Sequence, residues 1–172
     1  MTRMDKELDT LSADVGRWLQ AQGWTLATAE SCTGGWIAQV VTATAGSSGW
    51  FDRGFVTYSN AAKLDMLGVS PATLAAHGAV SEETVQEMVI GTLAASRADV
   101  ALAVSGIAGP TGSSPAKPVG MVCFAWGAVG ELPRTATRHF TGDREAVRRQ
   151  AVVFALRELL QPDGPAVRQP PA

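Results

Sequence analysis

Ser31, Ser48, Tyr58 and Lys63 are the residues whose types and spacing could carry covalent chemistry in this chain. A serine hydroxyl becomes a nucleophile when a base takes its proton, and a neutral lysine amine is such a base. Lys63 falls in the first turn of a short helix predicted to be capped by Asn60, where the positive end of the helix dipole disfavours an ammonium. A solvated surface lysine would fit the same pattern. Ser31 ends a predicted strand and precedes Thr33-Gly34-Gly35 at a helix start, so its hydroxyl sits beside backbone N–H groups able to hold an anion. It could equally be the helix cap. Ser47 and Ser48 stand between Gly46 and Gly49, in a loop that lets backbone approach a ligand closely, though loop serines are common. Tyr58, the only tyrosine, ends its strand five residues before Lys63 and also reads as a core aromatic with a satisfied hydroxyl.

Arg144, Arg148 and Arg149 crowd the first turns of the last predicted helix. Cations there oppose the helix dipole, so their surplus suggests an anionic ligand, with plain solvation as the alternative. Two other patterns fail on inspection. Gly106, Gly109 and Gly112 are spaced G-x-x-G-x-x-G rather than as the dinucleotide fingerprint, and Lys117 is followed by Pro118 instead of the Ser or Thr of a phosphate loop. Ser114-Pro115-Ala116-Lys117 matches S-x-x-K, but its prolines break the helix that would bring Ser and Lys together. Cys32 reads as a small buried residue, and His77 and His139 as structural or exposed.

Composition narrows the remaining classes. With 14 Lys+Arg against 16 Asp+Glu, the 172-residue chain has a formal charge of −2, which argues against a wide phosphate-binding face and so against nucleic acid as partner. Two His and two Cys without ligand spacing cannot build the four-ligand Cys/His cage of a structural zinc site without carboxylates, which argues against a zinc domain. The separated cysteines and the polar start MTRMDKELDT point to cytoplasm, and no stretch approaches a membrane span of about 20 apolar residues. A 46% hydrophobic content supplies a core for one domain, placed at 1–161 with a disordered Pro-rich tail at 162–172. Several exposed apolar residues suggest a homodimer.

The elements that must hold the candidate residues follow from periodicity. Leu8, Leu11, Val15 and Leu19 predict a helix stopped by Gly23; Trp24 to Ala29 is a strand; Trp36 to about Thr44 is a helix. Gly54 to Tyr58 is a strand, followed by the short helix ending at Gly68, another started by Ser70-Pro71, and a longer one opened by Ser81 and ending near Arg97. Val100–Val104 is apolar throughout, the mark of a strand buried on both faces. Val119 to Trp126 and Arg134 to Phe140 form a hairpin, and Asp143 caps a last helix, Arg144 to Leu160. This order predicts a three-layer α/β/α fold, a mixed sheet covered by helices on both faces, with ligands at the strands' carboxyl ends.

Longer strings now become recognisable: Ala29-Glu30-Ser31-Cys32-Thr33-Gly34-Gly35, Ala45-Gly46-Ser47-Ser48, and Phe55-Val56-Thr57-Tyr58-Ser59-Asn60 with Lys63. Downstream come Gly78-Ala79-Val80-Ser81-Glu82, Ser105-Gly106-Ile107-Ala108-Gly109-Pro110, Lys117-Pro118-Val119-Gly120 and Gly142-Asp143-Arg144. Together they resemble the CinA C-terminal domain family, in particular its free-standing nicotinamide-nucleotide amidohydrolases. The resemblance implies hydrolysis of the carboxamide of nicotinamide mononucleotide to nicotinate mononucleotide and ammonia, in pyridine-nucleotide recycling and without a metal or a cofactor. It implies Ser48 as nucleophile, with Ser31 as the competing assignment, Lys63 as base and Tyr58 assisting. Substrate would be bound by Thr33, Gly34 and Gly35, by Ser105, Gly106 and Gly109, and by Arg144. Two departures are Ser105, where many members have Thr, and Gly112–Ala116, which lacks the usual Gly-Gly pair. The family's name leaves a second reading, a non-catalytic nucleotide-binding or regulatory module linked to competence or DNA damage, which would have no use for Lys63.

Overall fold

The computed structural model describes residues 5–165. The expected tail lies outside the described residues from 166 onward; its first part closes a turn in which the Gly164 N–H donates to the Gln161 carbonyl. Helix α1 (Lys6–Gln22) is capped by Asp5 and stopped by left-handed Gly23. There follow β1 (Leu26–Glu30), α2 (Trp36–Thr42), a 3-10 turn at Ser47–Gly49, and β2 (Phe51–Val56). Three helices, α3 (Asn60–Leu67), α4 (Pro71–His77) and α5 (Glu82–Ala94), lead to β3 (Val100–Gly106), and β4 (Met121–Ala128), β5 (Arg134–His139) and α6 (Arg144–Leu159) complete the order.

The five strands make one mixed sheet in the order β2-β1-β3-β4-β5. Strand β1 runs parallel to β2 and β3, and the β4–β5 hairpin is antiparallel. Side chains alternate across β3 and β4. Val100, Leu102 and Val104 join Phe124 and Trp126 in a core with α1, α2 and α6. Ala101, Ala103, Cys123 and Ala125 form the other face with Val85, Met88 and Val89 of α5. The small residues on that face bring α5 close to the sheet; a Cβ on Gly127 of β4 would meet Val89 at 2.9 Å.

Helix α5 is equally close to the end of α3. A Cβ on Gly91 would lie 1.9 Å from the Leu67 carbonyl oxygen, which is backbone and cannot rotate away. Gly91→Ala is therefore expected to destabilise the fold by about 1–3 kcal/mol, the usual cost of overpacking, despite alanine's better helix propensity. Urea unfolding checks this, and an unchanged midpoint would contradict the packing.

Several boundaries differ from expectation, by one or two residues at β1, α2, β4 and β5 and more informatively at three places. The cap of α3 is Ser59, whose hydroxyl accepts from the Ala62 N–H at 3.0 Å, and Asn60 is the first helical residue. Helix α5 ends at Ala94, before Arg97. Strand β2 begins at Phe51 and ends at Val56, which leaves Tyr58 beyond it and 61% exposed instead of in the core. Among the described residues, no helix is long and apolar enough to cross a membrane.

Candidate active site

All three parallel strands point their carboxyl ends the same way, and their pairing brings three loops together. Glu30 at the end of β1 lies opposite Val56 of β2 and Val104 of β3. The next residues of each chain segment, Ser31, Thr57-Tyr58 and Ser105-Gly106, therefore share one edge of the sheet. Because β2 and β3 flank β1 on opposite sides, this is the crevice where such sheets hold ligands.

Lys63 reaches into this crevice from the first turn of α3 and is 1% exposed. Its Nζ contacts Ser31 Oγ at 3.0 Å and donates to the Thr57 carbonyl at 2.8 Å. Both partners are neutral, so neither supplies a charge to compensate an ammonium, and burial pushes the Lys63 amine below its ordinary range. A Cys32 thiolate would oppose that shift, but burial lifts the Cys32 thiol to about 12, so it carries no charge near neutral pH. Burial of the amine is the largest cause of that downward shift.

Ser31 does not cap α2. Its N–H donates to the Val104 carbonyl, which ties the residue to β3, while Gly35 takes the cap position without a side-chain bond. Gly34 and Gly35 have positive φ values of 60° and 98°, a path that permits the tight turn from Ser31 into α2. Ser31, Tyr58, Lys63, Ser105 and Arg144 line one cavity of about 270 Å³, together with Gly106.

A larger cleft of about 720 Å³ adjoins it, lined by Thr33, Gly34, Gly35 and Trp36 on one side and Asp143, Arg144 and Arg148 on the other. Arg144 lines both spaces. Its guanidinium donates to the Gly109 carbonyl at 2.8 Å and to the Tyr58 hydroxyl at 3.0 Å, leaving further donors for a ligand.

The structure does not bring every expected residue here. Ser48, expected as nucleophile, lies exposed in the 3-10 turn before β2, whereas Lys63 follows β2. A six-residue strand of about 20 Å lies between the two along the chain, and Ser48 is not among the residues lining the cavity that holds the Lys63 amine. The arginine surplus also divides. Arg149 is taken up by Asp5 and Glu7, tying α6 to α1, and Arg148 donates to backbone carbonyls of the Ser31 turn. Lys117 of the S-x-x-K string donates to the His77 carbonyl and is not among the residues lining the cavity that holds Lys63. Two participants were not singled out by sequence: the Thr57 carbonyl, which carries no side-chain signal, and Glu30, whose buried charge at the end of an apolar strand was the available clue.

No group of three or more His, Cys, Asp or Glu is placed to hold a metal ion among the described residues. With the geometry established, comparison with known proteins is informative. The sequence profile of the CinA C-terminal domain matches residues 8–162. Nicotinamide-nucleotide amidohydrolase PncC of Escherichia coli K12 is 59% identical over 157 residues, covering 91% of this chain and 95% of that protein. The protein of the same name from Pseudomonas putida is 53% identical over 154 residues, covering 90% and 96%. Among solved structures, the competence/damage inducible protein CihA from Agrobacterium tumefaciens superposes with a TM-score of 0.89 at 43% identity, over 93% of this chain and 98% of that one.

Proposed function

Because this chain belongs to the CinA C-terminal domain family, we propose that it hydrolyses the carboxamide of nicotinamide mononucleotide, releasing ammonia and nicotinate mononucleotide for pyridine-nucleotide recycling. The names of its amidohydrolase relatives support the substrate. The observation that carries the mechanism is the buried contact between Lys63 Nζ and Ser31 Oγ.

In the reactive state the lysine is neutral. One N–H of Nζ stays on the Thr57 carbonyl, and the lone pair faces Ser31. Across the same 3.0 Å contact the serine hydroxyl donates its proton to the amine as Oγ attacks the carboxamide carbon. Backbone N–H groups of the turn after Ser31 hold the oxyanion, each such donor typically contributing about 3 kcal/mol. Collapse of the tetrahedral intermediate breaks the C–N bond as the Lys63 ammonium gives its proton to the amide nitrogen, which leaves as ammonia. Water then attacks the acyl-Ser31 ester with Lys63 again as base, restoring the serine.

The two adjoining spaces support a division of the substrate, with the carboxamide in the small cavity and the ribose phosphate toward the larger cleft. Arg144, at the boundary, meets the phosphate. Arg144→Met is expected to raise KM for the mononucleotide about 10- to 100-fold, the loss of one hydrogen bond to a charged group, with a smaller change in kcat. The phosphate-free riboside provides the control, since its KM should not respond to the substitution. An equal effect on both compounds would remove the phosphate role.

The direct test is a product assay with purified protein, scoring ammonia and nicotinate mononucleotide at neutral and mildly alkaline pH. Binding of the nucleotide with no turnover would favour the regulatory reading instead.

A further inference from the structure

We infer that Glu30 is a positioning residue for Ser31: its carboxylate, with the Arg148 guanidinium opposite, clamps the turn that carries the nucleophile. The inference rests on the reading of Ser31 given above and adds the means by which that serine is held.

Glu30 is 1% exposed. Its Oε1 accepts from the Ile37 N–H at 2.7 Å and its Oε2 from the Ala38 N–H at 3.1 Å. These N–H groups open α2, a helix whose cap position holds Gly35 and therefore offers no side-chain acceptor. A residue preceding the turn thus does the work normally done by a cap within it. The bonds span seven and eight residues and close a loop around Ser31, Cys32, Thr33, Gly34 and Gly35.

Arg148 holds the same loop by its opposite polarity. Nε donates to the Cys32 carbonyl at 3.0 Å and a terminal nitrogen to the Thr33 carbonyl at 3.1 Å. The guanidinium also lies over the Trp36 ring, 5.4 Å from its centroid. One charged side chain therefore fixes N–H groups at the far end of the loop, and another fixes carbonyls in its middle. Two glycines with positive φ would otherwise leave the segment free to sample other paths.

A helix end could have been capped more cheaply by a serine or aspartate at the position of Gly35. Burying a carboxylate costs several kcal/mol before its hydrogen bonds are counted, and burial does push the Glu30 carboxyl upward, against hydrogen bonds of which those from the Ile37 and Ala38 N–H groups are the largest. What the longer reach supplies is registration of the whole loop against the end of β1. A nucleophile displaced by about 1 Å loses on the order of 100-fold in rate, so the loop's registration is the quantity at stake.

The test uses the whole protein with Glu30→Gln and Glu30→Ala, followed by kcat, KM and amide hydrogen exchange. Glu30→Ala is expected to lower kcat about 100-fold with KM changed less than about threefold. Glu30→Gln keeps one oxygen acceptor and should recover part of that loss, to about 10-fold below the parent. Exchange at Ile37 and Ala38 should quicken in both, while the interior of α6 stays protected. Should the alanine variant not fold, the glutamine variant decides. Parent-like kcat in Glu30→Gln with faster exchange at Ile37 and Ala38 would overturn the inference, and so would unchanged exchange. Ser31→Ala is run alongside: if it keeps parent turnover, the nucleophile reading fails, and exchange still reports the clamp without any turnover.

Discussion

Lys63→Met is expected to lower kcat for carboxamide hydrolysis by about 10³-fold, the size of a positioned general base, while the protein stays folded. The methionine fills nearly the same volume inside the crevice but accepts no proton. Lys63→Arg should be equally inactive, because a guanidinium remains charged at every accessible pH. The parent's activity should rise with pH along a limb whose apparent pKa lies below 10.5, the ordinary lysine value, since burial favours the neutral amine. Stability carries the same signature. Between the depressed folded pKa and the unfolded value the unfolded chain binds more protons, so the lysine's penalty is greatest at low pH and disappears as pH rises toward 10.5. Lys63→Met should therefore gain stability relative to the parent at neutral pH, and that gain should shrink in alkali. Kinetics and denaturant unfolding across pH measure both, and an active Lys63→Arg enzyme would exclude Lys63 as the base.

Ser31→Ala is expected to be as severe, with turnover falling by about 10³-fold or more, while Ser48→Ala remains within about twofold of the parent. The contrast follows from geometry: Ser31 Oγ is 3.0 Å from the lysine nitrogen, and Ser48 is exposed at the other end of β2. Rapid quenching during turnover, followed by proteolysis and mass spectrometry, should place an acyl adduct on the peptide containing Ser31. An adduct on the Ser48 peptide, or loss of activity in Ser48→Ala alone, would reverse the assignment.

That pair of serines explains what a sequence can and cannot convey about the site. Ser48 is nearer to Lys63 along the chain, but β2 intervenes as an extended segment and carries the chain away from it. Ser31 is 32 residues from Lys63 and becomes its neighbour because β1 and β2 pair in parallel. Such pairing leaves no trace in local spacing. Features set by local physics were readable: the doubly buried run Val100–Val104, and the caps Ser70, Ser81 and Asp143. Ser59 and Asn60 are both good caps side by side, and only the backbone decides between them. Glu30 was obscured for a different reason. Its partners are main-chain N–H groups, which every sequence supplies. Arg148 was hidden among three arginines, of which one meets the cavity, one the turn and one the first helix.

The origin of those contacts along the chain has a bearing on synthesis. Ser31, Thr57 and Lys63 emerge from the ribosome early, whereas Arg148 contacts residues 115 and 116 positions before it. A nascent chain holding the first three strands already contains Ser31 and Lys63, yet lacks the helix whose Arg148 contacts the Ser31 turn and which carries Arg144 to the cavity. Domains generally fold as units, so the crevice is expected to be complete only once α6 has been made. Fragments ending before residue 144 are expected to hold Ser31 and Lys63 without the contacts that Arg144 and Arg148 make to the cavity and the Ser31 turn.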